Sequence, residues 1–136
     1  MTPVNSYQVI AETLGERYTC SPVNRFIRIR TPYLYPDGEV IDLFLKEQSQ
    51  VLTDLGETLR WLDMQTLSQS LSNQQDFFLQ DIQLTYGIEV YQGMLIVRVQ
   101  EDLGDAVNRL VQAAISVSNL RCLSQSCQSD YLHNES

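Results

Sequence analysis

A chain of 136 residues with formal charge −8, 43% hydrophobic and 19% charged residues, suits one globular domain and is too apolar to be disordered. The charge argues against direct nucleic-acid binding, because phosphate neutralisation needs surplus Lys and Arg and the chain holds a single lysine, Lys46. Three cysteines (Cys20, Cys122, Cys127), no basic-then-apolar leader and no apolar run near the ~20 residues of a membrane span point to a cytoplasmic domain without a disulfide framework.

In chain order, Asn5 or Ser6 caps a first predicted helix that runs to Leu14 and stops at Gly15. The following ERYTCSPVN is read as a loop, since Pro22 and Asn24 disfavour regular structure. Phe26 to Tyr35 alternates as a strand, with Ile27 and Ile29 on one side and Phe26, Arg28 and Arg30 on the other. Thr31-Pro32 marks it as an edge or bulged strand. Pro36-Asp37-Gly38 is a turn in which Pro presets φ and Gly accepts φ > 0. Val40 to Lys46 returns, with Ile41, Leu43 and Leu45 opposite Val40, Asp42 and Phe44, and Val51-Leu52 makes a short third strand.

Asp54 and Glu57 have the spacing of a capping box, followed by Leu55, Leu59 and Leu62 at helical spacing with Trp61 beside them. Residues 65–75 are polar, a weak helix or a loop. Asn73 caps a further helix that ends at Gly87, with Phe78, Ile82 and Thr85 predicted on one side. Ile88 to Tyr91 and Met94 to Val99 form a hairpin across Gln92-Gly93. Asp102 caps the last helix, whose stripe of Leu103, Ala106, Val107, Leu110, Val111, Ala114 and Val117 reads as core and also permits a helix-mediated homodimer. The expected fold is a single α+β domain over residues 1–121, an antiparallel sheet of about five strands in the order α-βββ-α-α-ββ-α, with a polar, loosely ordered tail at 122–136.

The segments TPYLYPDGEVIDLFL, VLTDLGETLRWL and YGIEVYQGMLIVRVQEDLGDAVNRLVQA resemble a bacterial family catalogued as domain of unknown function 1828, over roughly Arg25 to Leu120. The resemblance rests on the aspartate-glycine turn, the Thr53 to Leu59 run and the late hairpin with its helix. It implies this fold, a small bacterial protein near mobile elements and a defence or counter-defence setting. It brings no active site with it.

Pro36-Asp37 invites comparison with metal-dependent nuclease cores in which two acids hold a metal and a lysine polarises water. Asp37, Asp42 and Lys46 are the weak catalytic candidates, although Phe44 stands where the second acid belongs, and turn formation alone explains Asp37. Capping likewise accounts for Asp54 and Glu57 as a carboxylate pair. Cys122, Cys127 and the lone histidine, His133, lack a fourth ligand at zinc spacing, so no metal or other cofactor is expected. The one basic and aromatic patch is Arg25, Arg28 and Arg30 with Tyr33 and Tyr35, and Arg28, Arg30, Tyr33 and Tyr35 are the predicted partner-binding residues.

These features favour a noncatalytic protein-binding module, accessory or regulatory, with a protein as partner. A first alternative is an acidic nucleic-acid mimic that presents Asp76, Asp81, Glu89, Glu101, Asp102 and Asp105 to a basic channel. A second is an unusual nuclease built on Asp37, Asp42 and Lys46.

Overall fold

The computed structural model describes residues 6–65, 73–100 and 102–123. Helix α1 (Ser6–Leu14) leads into four consecutive strands, β1 (Thr19–Val23), β2 (Phe26–Leu34), β3 (Val40–Lys46) and β4 (Val51–Thr53). Helices α2 (Glu57–Gln65) and α3 (Asn73–Tyr86) follow, then the hairpin β5 (Glu89–Tyr91) and β6 (Met94–Arg98), and last α4 (Leu103–Ser118) with a 3-10 turn at Asn119–Leu123. All strand pairs are antiparallel, and the sheet order is β1-β2-β3-β4-β6-β5.

The fold is therefore the expected α+β class, with one strand more. The stretch expected as a loop forms β1, paired with β2 from Thr19↔Arg30 to Val23↔Phe26. Pro22 marked an edge strand, where a missing backbone donor is tolerated, and Asn24 makes the tight turn by taking φ 56. The expected irregularity of β2 is present as a register shift between Arg30 and Leu34.

Alternation sorts the sheet into two faces. Ile27, Ile29, Ile41, Leu43, Leu45, Leu52, Leu95 and Val97 are buried on one. The helices gather around α4 on that side. Of the α4 stripe, Ala106, Val107, Leu110, Val111, Ala114 and Val117 are all buried in this core, and Leu103 is half-buried. Phe26, Arg28, Arg30, Asp42, Phe44 and Lys46 occupy the opposite face, none of them buried.

α3 packs with a different phase from the one expected. Gln75, Leu79 and Ile82 are buried, while Phe78 and Phe77 face outward. The Gln75 amide donates to the Leu120 carbonyl at 2.8 Å, which fixes that rotation.

Candidate functional site

The site begins at the junction of β4 and α2. Asp54 is fully buried, and its carboxylate accepts three backbone N–H bonds, from Gly56 (2.8 Å), Thr58 (2.9 Å) and Leu95 (3.0 Å). Its own N–H donates to the Leu95 carbonyl. One side chain thus starts α2 and ties it to β6, far away in sequence. The expected capping box forms only in part: Glu57 does not reach back, and pairs with Arg60 one turn along the exposed side of α2.

Between Asp54 and α2 the chain makes a left-handed step, Leu55 at φ 57 and Gly56 at φ 85. Glycine adopts this freely, but a leucine there costs about 1–2 kcal/mol. The step holds the Leu55 side chain 37% exposed.

Across from it stands the β2–β3 turn. Asp37 accepts the Glu39 N–H at 3.0 Å and the indole N–H of Trp61 at 2.9 Å. The backbone bond first, and then the indole, hold its carboxyl below the ordinary carboxylate range. Trp61 stacks on Tyr35, with ring centroids 5.9 Å apart and planes 14° from parallel. Tyr35 is buried, and its hydroxyl hydrogen-bonds that of the fully buried Thr58 at 2.8 Å. Burial above all pushes the Tyr35 phenol up to about 12.

Turn and helix enclose a cleft of about 610 Å³. The Tyr35–Trp61 stack, Val40, Phe44, Leu55 and Met64 supply its apolar surface. Its charged groups divide sharply. Arg30 is held in a two-point pair by Asp42, at 3.0 and 2.9 Å, and Arg60 is engaged by Glu57. Asp37 and Glu39 face no cation, and the Glu39 side chain has no partner among the described residues. A second groove of about 490 Å³ runs along the open sheet face past Phe26, Val51, Tyr91, Met94 and Ile96, with Lys46 and Arg98 at its edge. Leu55 lines both.

The predicted partner-binding residues do not form one patch. Arg28 and Arg30 lie on the open face, whereas Tyr33 packs against the core. Arg30 and Tyr35 line the cleft; Arg28 and Tyr33 do not. Of Asp37, Asp42 and Lys46, the two aspartates line the same cleft and the lysine lies against the other groove. Asp42 is taken by Arg30, and Lys46 lies four residues along β3, about 13 Å at the rise of a strand, against the other groove. Among the described residues no three His, Cys, Asp or Glu side chains could hold a metal ion. Cys127, His133 and the Cys122 side chain lie outside the described residues, as does Glu101.

The remaining acidic residues of the mimic reading are spread over α3, β5 and the start of α4. Glu89 faces Arg98 at 3.6 Å, Asp105 pairs with Arg109 at 3.0 Å, and Asp102 accepts the Asp105 N–H. Gln80 donates to Asp76 at 3.3 Å. No helix of the described residues is long and apolar enough to cross a membrane.

Sequence reasoning passed over Leu55, Trp61 and Glu39. A usable signal existed for Trp61: an indole N–H beside a core needs an acceptor, and Asp37 was the one turn carboxylate without an assigned partner. For Leu55 the signal was a leucine placed between a helix-starting aspartate and a glycine.

The family model described as domain of unknown function DUF1828 matches residues 31–117, more than half of the chain and almost the whole cleft. No curated protein and no solved structure matches the chain.

Proposed function

The chain belongs to the family of domain of unknown function DUF1828, and on that footing we propose that it is a noncatalytic protein-binding module, an accessory or regulatory subunit that docks its partner where the β2–β3 turn, α2 and the open face of the sheet meet. The observation that carries this is Leu55. Among the described residues it is the one apolar residue of the four non-glycine residues with positive φ, it is held at the surface, and it stands where the two grooves meet. The turn serves the fold by bringing the Gly56 and Thr58 N–H groups to Asp54, but a leucine side chain there adds strain that glycine would not, and contact with a partner supplies a reason for it. The charged side chains around it support binding over chemistry, since Arg30, Asp42, Glu57 and Arg60 neutralise one another. The defence or counter-defence setting is part of the proposal and rests on the family resemblance alone.

Site-specific photocrosslinking in the native host tests it. A crosslinker at position 55 should give one discrete protein adduct, and the same group at the exposed position of Glu12 on α1 should not. Leu55→Gly should keep stability within about 1 kcal/mol of the parent, because glycine relieves the strain while adding backbone freedom to the unfolded chain. Added in excess before irradiation, the parent chain should suppress formation of the adduct and that variant should not. Equal adducts at both positions, or none at 55, would refute the reading.

A further inference from the structure

Resting on that docking reading, we propose that the occupant of the cleft between the β2–β3 turn and α2 is a protein segment presenting a lysine or arginine side chain beside apolar residues. The cleft contains four carboxylates and two guanidiniums, and both guanidiniums are already engaged. What is left unanswered is Asp37 and Glu39, two carboxylates on either side of Gly38 with no cation facing them among the described residues. Asp37 still has acceptor capacity after its two bonds, since an ionised carboxylate offers about four lone-pair sites. Beneath them lie the Trp61 indole and the exposed side chains of Val40 and Met64.

A long cationic side chain matches that combination. Its methylenes cover apolar surface while its head reaches the carboxylates. The aromatic stack adds attraction for a cation. An acidic segment meets the opposite: it would place its charge against Asp37 and Glu39 and would have to break existing pairs to reach Arg30 or Arg60. The net charge of −8 steers a basic partner toward the protein over a longer range.

Trp61 is the single tryptophan, so its fluorescence and its indole N–H resonance report on this cleft alone. The probes are three capped peptides, acetyl-Leu-Val-X-Val-Leu-amide with X as lysine, arginine or glutamate, titrated into the full chain. The lysine or arginine peptide should move the indole signal saturably. The response should weaken about five-fold in Glu39→Gln, as loss of one exposed charge contact implies, and further in the Asp37→Asn, Glu39→Gln double variant. Glu39→Gln leaves the Trp61 bond untouched, so the effect is separable from any loss of the aromatic stack. A glutamate peptide that binds equally well, a basic peptide that leaves the indole unmoved, or binding indifferent to Glu39→Gln would each overturn the inference. Should any of these occur while crosslinking at position 55 succeeds, the partner chemistry falls and the docking module stands. Failure of both removes the docking reading itself.

Discussion

Two aspartates flank the cleft, each one or two residues ahead of a glycine, and they do opposite things. Asp54 is fully buried and saturated by three backbone N–H groups, one of them from β6. Asp37 is exposed, holds one backbone N–H and one indole, and keeps acceptor capacity to spare. Both are turn chemistry of the kind short polar side chains provide. What separates them is the strand at Leu95, which closes over the first carboxylate and has no counterpart over the second. A carboxylate covered and satisfied on every side is spent on the fold; one left half-answered at a cleft remains free to meet a partner.

The comparison is broken most directly at Asp54. Asp54→Ala would strand the N–H groups of Thr58 and Leu95 in a dry environment, at a cost of about 3–5 kcal/mol. The expected result in urea or thermal unfolding is a drop in midpoint on the order of 10 °C. Asp54→Asn should fall between, since its amide keeps an acceptor but turns an NH₂ group toward backbone donors. A loss of less than about 1 kcal/mol for the alanine variant would show that water reaches this carboxylate and would erase the distinction between the two loops.

Tyr35 links the loops, with its hydroxyl on Thr58 behind Asp54 and its ring against the Trp61 that Asp37 holds. Tyr35→Phe leaves the buried Thr58 hydroxyl without this partner and should cost about 1–2 kcal/mol at neutral pH. It should also change the alkaline limb. The folded phenol titrates at about 12 against an ordinary value of 10.0. Between those values the unfolded chain releases a proton that the folded chain keeps, so the stability this group contributes is complete below pH 10 and is lost as pH rises to 12. Parent and Tyr35→Phe should therefore differ in slope over that window, by roughly 2–3 kcal/mol in total. Parallel curves would place water at the phenol.

Much of this architecture was legible in local pattern. Period-two alternation assigned Ile27, Ile29, Ile41, Leu43 and Leu45 to one face and Arg28, Arg30, Asp42 and Phe44 to the other, and the register bears this out. Turn and cap residues located the hairpins and the start of α4, where Asp102 accepts the Asp105 N–H. The misses came where a local signal has two meanings. Pro22 reads as a loop breaker or as an edge strand, and only pairing with β2 decides. Phe77 and Phe78 on α3 are both apolar, and only the Gln75 contact to Leu120 sets which side turns inward.

The candidate site was less legible for a related reason. Tyr33 and Tyr35 are neighbours in sequence of Arg28 and Arg30, but Tyr33 falls on the core side of β2, and Tyr35, past the register shift and the end of the strand, meets Arg30 only across the cleft, so the apparent patch is broken up. The cleft is assembled from a turn, a strand face and a helix whose approach is set by Asp54 bonding to β6. Nothing in the local pattern around residues 54–57 names Leu95 as the third donor.

The smallest effect lies at Asp37, and it sharpens the contrast by its pH dependence. Asp37→Asn keeps an oxygen for one of the two N–H groups, so the loss at neutral pH should be slight. The wild-type carboxyl is held below its ordinary value of 3.8, by the Glu39 N–H first and the Trp61 indole second. A depressed folded value means that the carboxylate stabilises the fold fully above the unfolded value, and that this contribution is lost as pH falls through the lower, folded one. The difference in unfolding midpoint between parent and Asp37→Asn should thus be constant well above the ordinary value of 3.8 and shrink as pH falls through the lower, folded one, since the other carboxylates titrate alike in both chains and cancel. Trp61 fluorescence follows the same titration, because the acceptor of its indole N–H is the group being protonated. A difference that persists unchanged in acid would mean that the shape of the side chain, and not its charge, anchors the turn to α2. Asp37 would then be, like Asp54, a residue whose bonding is used up in the fold.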